Sequence, residues 1–167
     1  MVGVPVLYNR PRLKAQGPCH CGFLTPRSPV SVARALADRG RVALELSEPL
    51  SWDRRNELAA SAGVYVIAKA DPANTVYIGR TWGSKGVKQR IGTFNRSAVT
   101  GRKGHAGGVT YHHTFGPHTD DLWVSVHIPT DVEVRPEILH PYIAYAERRF
   151  IWEFVDQYRR LPACNSE

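Results

Sequence analysis

The sequence has little that would staple or anchor it. Three cysteines in 167 residues cannot build a disulfide framework, and an odd count suits a reducing compartment. No run approaches the ~18 apolar residues of a membrane span, so a membrane protein is not expected. The opening MVGVPVLYNRPRLK has no basic residue ahead of its apolar stretch and lacks the order of a secretory leader. These absences predict a soluble, cytoplasmic chain. Negative charge is also missing from one long stretch: no Asp or Glu lies between Asp71 and Asp120.

That stretch holds Arg80, Lys85, Lys88, Arg90, Arg96, Arg102 and Lys103, seven cations that equal the chain's whole net excess of +7. Tyr77, Trp82, Phe94, Tyr111 and Phe115 are interleaved with them, as are His105, His112, His113 and His118. Cations track a phosphate backbone and aromatic faces stack on bases, so nucleic acid is the expected partner. The plainer alternative is a solvated basic loop. Arg80, Lys85, Lys88, Arg96, Arg102 and Lys103 are the candidate nucleic-acid contacts.

The chain is 43% hydrophobic and 22% charged, which suits one folded domain with a short extension. Residues 1–30 carry Pro5, Pro11, Pro18, Pro26 and Pro29 without sustained periodicity and read as an irregular arm. Cys19-His20-Cys21 has ligand-type side chains, yet no second pair completes a zinc set, and Cys164 is the only other thiol. Val30–Asp38 reads as a short helix and Arg41–Glu48 as a strand. Ser51 reads as the cap of a helix reaching about Ala60. Residues 1–60 are thus expected to form an arm plus short packing elements ahead of a domain at 61–167.

From Gly63 the pattern sharpens. GVYVIAKA and TVYIGRT flank the turn signal Asp71-Pro72-Ala73-Asn74 and predict a hairpin. VKQRIGTFNRSA reads as a short helix, residues 100–119 as a long loop, and Asp121–Ile128 as a third strand. Pro141 sits where a first-position helix proline belongs, opening a long helix to Leu161-Pro162. The expected fold is α+β, with a small three-stranded antiparallel sheet flanked by helices.

Phasing that helix at 100° per residue places Glu147 within a stripe of Ile143, Phe150, Ile151, Phe154 and Tyr158. Glu153 instead joins Arg149, Asp156, Gln157 and Arg160 on the polar side. A carboxylate on an apolar stripe must be paired, protonated or metal-bound, because burying it bare costs several kcal/mol or more. A salt bridge to Arg90 or a similar cation would satisfy it without any chemistry.

Gly63-Val64-Tyr65, then eleven residues, then Tyr77-Ile78-Gly79 resembles the paired signature of the GIY-YIG nuclease superfamily. Arg90 on the following helix, Glu147, and Pro162-x-x-Asn165 extend the resemblance over about residues 61–167. It implies metal-dependent hydrolysis of DNA phosphodiester bonds, with Mg2+ or Mn2+ at Glu147. It further implies Tyr65 activating water, Tyr77 positioning water or phosphate, Arg90 on a phosphate oxygen, and Asn165 supporting the site. Two features depart from the pattern. Phe94 stands where relatives carry a proton-handling residue, so His105 is the candidate replacement as base or phosphate ligand, with His112 and His113 weaker. The gap from Glu147 to Asn165 is long, and Glu153 would give the usual spacing.

The resemblance points to a restriction-type or mobile-element nuclease acting on duplex or branched DNA. Concerted cutting of both strands with one site per chain would require a homodimer. Two other readings compete: a non-catalytic nucleic-acid-binding module, and an accessory subunit, which would show a large apolar patch on residues 30–60.

Overall fold

A computed structural model of the chain describes residues 44–71, 74–130 and 135–165. The run GVYVIAK forms strand β2 (Gly63–Lys69), whose near-continuous apolar character fits a strand buried on both faces. It pairs antiparallel with β3 (Thr75–Thr81), placing Tyr65 opposite Gly79 and Ile67 opposite Tyr77. On its other side it pairs antiparallel with β4 (Leu122–His127), placing Tyr65 opposite Val126. A two-residue strand, β1 (Leu50–Ser51), adds to β4, giving a four-stranded antiparallel sheet in the order β1-β4-β2-β3. The three strands expected after Gly63 are present, and β1 makes a fourth.

Alternation along β2 sends successive side chains into two cores. Tyr65 and Ile67 pack with Trp52, Val87, Ile91, Phe94 and Tyr111. Several of these come from helices α1 (Gly86–Thr100) and α2 (Ala106–Phe115). Val64, Val66 and Ile78 pack on the opposite face against Ile143, Ala146, Phe150 and Phe154 of helix α3 (Pro136–Tyr158). Helices therefore cover both faces of the sheet. β3 lies at the edge of the sheet, and the residues after α3 run beside it. The Cys164 amide donates to the Val76 carbonyl at 2.8 Å, and Asn165 pairs with Ile78.

Four local expectations are corrected. Residues 100–119 are not one long loop, because α2 occupies Ala106–Phe115. Two glycines in AGGVTYHHTF lower helix propensity, but packing demands them. A Cβ at Gly107 would collide with the Tyr77 ring, and one at Gly108 with the Phe94 carbonyl. Pro141 lies inside α3, which begins five residues earlier, with Pro136 in the first turn. Pro141 is exposed, and the bond it forgoes would have gone to the carbonyl of Glu137.

The helix expected from Ser51 is a single 3-10 stretch, Trp52–Glu57, and Ser51 makes no cap bond. Its hydroxyl donates to Asp53 Oδ1 at 2.5 Å instead. The strand expected at Arg41–Glu48 has no regular pairing from residue 44 onward. Ser47 explains why. Its amide donates to the Val126 carbonyl at 2.8 Å, but the return bond from the Val126 amide goes to the serine hydroxyl at 3.0 Å. A side chain has replaced a rung of the ladder. The expected helix at 30–38 and the Cys19-His20-Cys21 cluster lie outside the described residues.

Residues 50–58 belong to the folded unit. Trp52 is buried, meets Phe94 edge-on at 5.9 Å, and donates from Nε1 to Asn95 Oδ1 at 2.8 Å. Leu58 joins the same core. Among the described residues before Gly63, Leu46 is the one large apolar side chain left exposed, which is no extended patch.

Candidate active site

The site has a buried half and an open half, joined by Tyr77. In the buried half, Gly79 faces Tyr65 across the strand pair. A Cβ there would stand 2.8 Å from the Tyr65 hydroxyl and 2.6 Å from a Tyr77 ring carbon. The glycine of the YIG run is therefore required by two tyrosine rings crowding one spot. His105 completes the group from the N-cap of α2. Its Nε2 lies 2.8 Å from Tyr65 Oη, and its Nδ1 accepts from the Gly108 amide at 3.3 Å. Its own amide donates to Ser97 Oγ at 3.0 Å. The imidazole meets the Phe94 ring edge-on at 5.1 Å, so it stands beside the residue that cannot handle protons.

Dryness controls the titration of this half. Burial holds the His105 imidazole down to about 3, and the nearby Arg90 charge adds to that effect, so the ring is neutral. Burial pushes Tyr65 far above the usual phenol range, only partly opposed by Arg90. Tyr77 is also pushed up by burial, with Arg90 opposing. Arg90 is thus the common electrostatic neighbour of all three.

The open half exists because β3 is an edge strand. Residues from both of its faces can reach one cleft there, with a volume of about 390 Å³. Tyr77, Arg80, Thr81, Trp82, Gly83, Arg90 and Glu147 line it. Tyr65 is fully buried and does not line this cleft. Glu147 projects from α3 and ion-pairs with Arg80. Burial pushes the Glu147 carboxyl up, and the Arg80 charge offsets this only in part. Glu153 is half-exposed and pairs with Arg149 at 2.6 Å, away from this cleft. Helix phase, rather than spacing to Asn165, thus picks the carboxylate that reaches the cleft.

No family model, curated protein or solved structure matches the chain.

The remaining candidates divide clearly. Arg80 is no free surface cation: it holds Glu147, with its guanidinium 5.0 Å from the Trp82 ring centroid. Lys85, Lys88, Arg96, Arg102 and Lys103 are exposed. Lys88, Gly92 and Arg96 fall at four-residue intervals on α1 and share a face. The first amides of α1 are not available to an anion. The Val87 amide donates to the Ser61 carbonyl at 2.9 Å and the Lys88 amide to that of Ala59 at 3.2 Å.

Asn165 does not reach the cleft lining. Its Oδ1 accepts from the Ile78 amide at 2.9 Å and its Nδ2 donates to the Ile78 carbonyl at 2.8 Å. It holds β3 at the residue between Tyr77 and Gly79, a positioning role. His112 packs against α1, with Nδ1 2.8 Å from the Ala98 carbonyl, and His113 is exposed. Burial pushes the Cys164 thiol up to about 12, leaving it inert.

The sequence offered Trp82 only as one of several interleaved aromatics and did not pair Arg80 with Glu147. The alternation of Tyr77-Ile78-Gly79-Arg80 was the available signal, since it turns Arg80 towards the α3 side. Among the described residues no three His, Cys, Asp or Glu side chains cluster in a way that could hold a metal. One hard carboxylate nevertheless suits Mg2+ or Mn2+, which keep most of their waters. Glu147 fits that requirement, provided that the cation displaces the Arg80 guanidinium.

Proposed function

We propose that this chain is a divalent-metal-dependent endonuclease that hydrolyses DNA phosphodiester bonds. The observation that supports this best is convergence. Tyr77, Arg90 and Glu147, from three different elements and far apart in sequence, line one cleft beside an exposed basic face. These are the residues whose pattern resembles the GIY-YIG signature.

Each side chain has a distinct task. Arg90 lines the cleft, and its planar fork matches a non-bridging phosphate oxygen. Glu147 would hold Mg2+ or Mn2+. A cation there would supply charge stabilisation at the phosphoryl and leaving oxygens. Arg80, which also lines the cleft, would then be left to face the phosphate. Tyr77 is the phenol that meets the attacking water. Lys85, Lys88, Arg96, Arg102 and Lys103 track the DNA backbone, and a homodimer would bring two clefts to one duplex. A restriction-type or mobile-element nuclease fits this arrangement.

A second reading, a nucleic-acid-binding module without cleavage, is favoured by one observation: the Arg80–Glu147 pair already satisfies the carboxylate. Supercoiled plasmid separates the two. The nuclease reading expects nicking with Mg2+ or Mn2+, none with EDTA, and at least a 100-fold loss in Arg90→Ala. Salt-sensitive binding that ignores Mg2+, with no nicking of plasmid or branched DNA, would instead establish the binding module.

A further inference from the structure

His105 is buried with both ring nitrogens engaged, and the direction of those bonds can be worked out. A backbone amide can only donate. Gly108 therefore donates to Nδ1, and that nitrogen carries a lone pair. A neutral imidazole with a bare Nδ1 must carry its proton on Nε2. The 2.8 Å contact to Tyr65 then runs one way: Nε2–H donates and the phenolic oxygen accepts. The hydroxyl proton of Tyr65 is turned away from the histidine. Tyr77 lies on that side, where its ring edge and the Tyr65 hydroxyl both crowd onto Gly79.

We infer that His105 is a positioning residue and not a proton acceptor, the first donor of a line His105 Nε2–H to Tyr65 Oη–H to Tyr77 Oη. The line exchanges the expected roles of the two tyrosines. Tyr65 sits behind the site with its hydroxyl proton turned away from His105, and Tyr77 is the tyrosine that lines the cleft. A donor behind Tyr77 would favour negative charge on its oxygen, against the burial that disfavours it. The neutrality that burial imposes on His105 agrees with this direction. So does the absence of any orphaned buried polar side chain among the described residues. The catalytic consequence rests on the nuclease reading, whereas the direction of the bonds does not.

The test therefore has two arms. Long-range proton–nitrogen correlation spectra of the 15N-labelled chain at neutral pH, with His105 assigned by its loss in His105→Gln, report the tautomer. Protonated Nε2 with bare Nδ1 is expected; a bare Nε2 or a doubly protonated ring would overturn the inference. In the second arm plasmid nicking compares His105→Gln with His105→Asn, both checked for folding. A glutamine amide can reach Tyr65 as a donor, whereas asparagine keeps a cap acceptor but is too short. His105→Gln is expected to lose less than tenfold and His105→Asn about 100-fold. Equal losses would mean that a proton acceptor, not a donor, had been removed, and would contradict the inference. Wild-type chain that nicks nothing would sink the nuclease reading, and the tautomer would still decide the bond direction.

Discussion

The two halves of the site are built on opposite principles. The buried half, Tyr65, His105, Phe94 and Gly79, leaves no buried side-chain polar atom without a partner and has little room: both nitrogens of the His105 ring are engaged, and Gly79 marks a spot crowded by two tyrosine rings. The open half, Arg80, Arg90, Trp82 and Glu147, is charged and lines a cleft of about 390 Å³. Fixed geometry comes from the dry side and exchangeable charge from the wet side. Tyr77 belongs to both, packed against Tyr65 on the dry side and lining the cleft on the wet side.

Four changes probe the two halves, in falling order of expected effect. Gly107→Val would force a branched side chain into the Tyr77 ring, and overpacking there is expected to cost about 3 kcal/mol, read as a lower urea midpoint. A loss below about 1 kcal/mol would show that α2 can lift off Tyr77 cheaply. Tyr65→Phe leaves His105 Nε2–H without an acceptor in a dry pocket, which should cost about 1–3 kcal/mol. No change in stability would mean that the 2.8 Å contact is not a hydrogen bond.

Acid sharpens the contrast further. His105 has a folded pKa of about 3 against 6.5 in the free side chain, so between those values the unfolded chain binds a proton that the folded chain refuses. Its contribution is fully present above about pH 6.5 and is lost as the pH falls towards 3, at up to about 1.4 kcal/mol per pH unit. His105→Gln should flatten this part of the acid limb in pH-dependent unfolding; an unchanged limb would contradict the buried neutral ring. The smallest effect lies on the wet side. A Cβ at Gly92 of α1 would meet nothing, so Gly92→Ala is expected to stabilise by about 0.5–1 kcal/mol in thermal melts. A destabilised variant would show that this exposed helix face is packed after all.

What the sequence revealed followed from periodicity and chemical type. Two strand-like runs around a turn signal gave the hairpin, and a carboxylate on an apolar stripe singled out Glu147, which does reach the cleft while Glu153 does not. What it hid was tertiary. AGGVTYHHTF looks like loop because its two glycines weaken a helix, and only the Tyr77 ring and the Phe94 carbonyl explain them. His105 was visible as a histidine but not as a helix cap bonded to Tyr65, forty residues away. Ser47 broke an expected strand through one side-chain hydroxyl, and Pro141 was outranked by Pro136, which also suits a helix start. Asn165 entered only through the resemblance, and its two bonds to Ile78 depend on where the chain after α3 returns to the sheet.

The proposed nuclease centre lies in the cleft at the edge of β3, with Glu147 as its carboxylate. The most direct measurement is Mg2+- or Mn2+-dependent nicking of supercoiled plasmid by wild-type chain, Glu147→Gln and Glu153→Gln, each first shown to be folded. The account predicts that wild type and Glu153→Gln nick alike, and that Glu147→Gln falls at least 100-fold, about 2.7 kcal/mol in activation free energy. Nicking that survives Glu147→Gln and is lost in Glu153→Gln would contradict it.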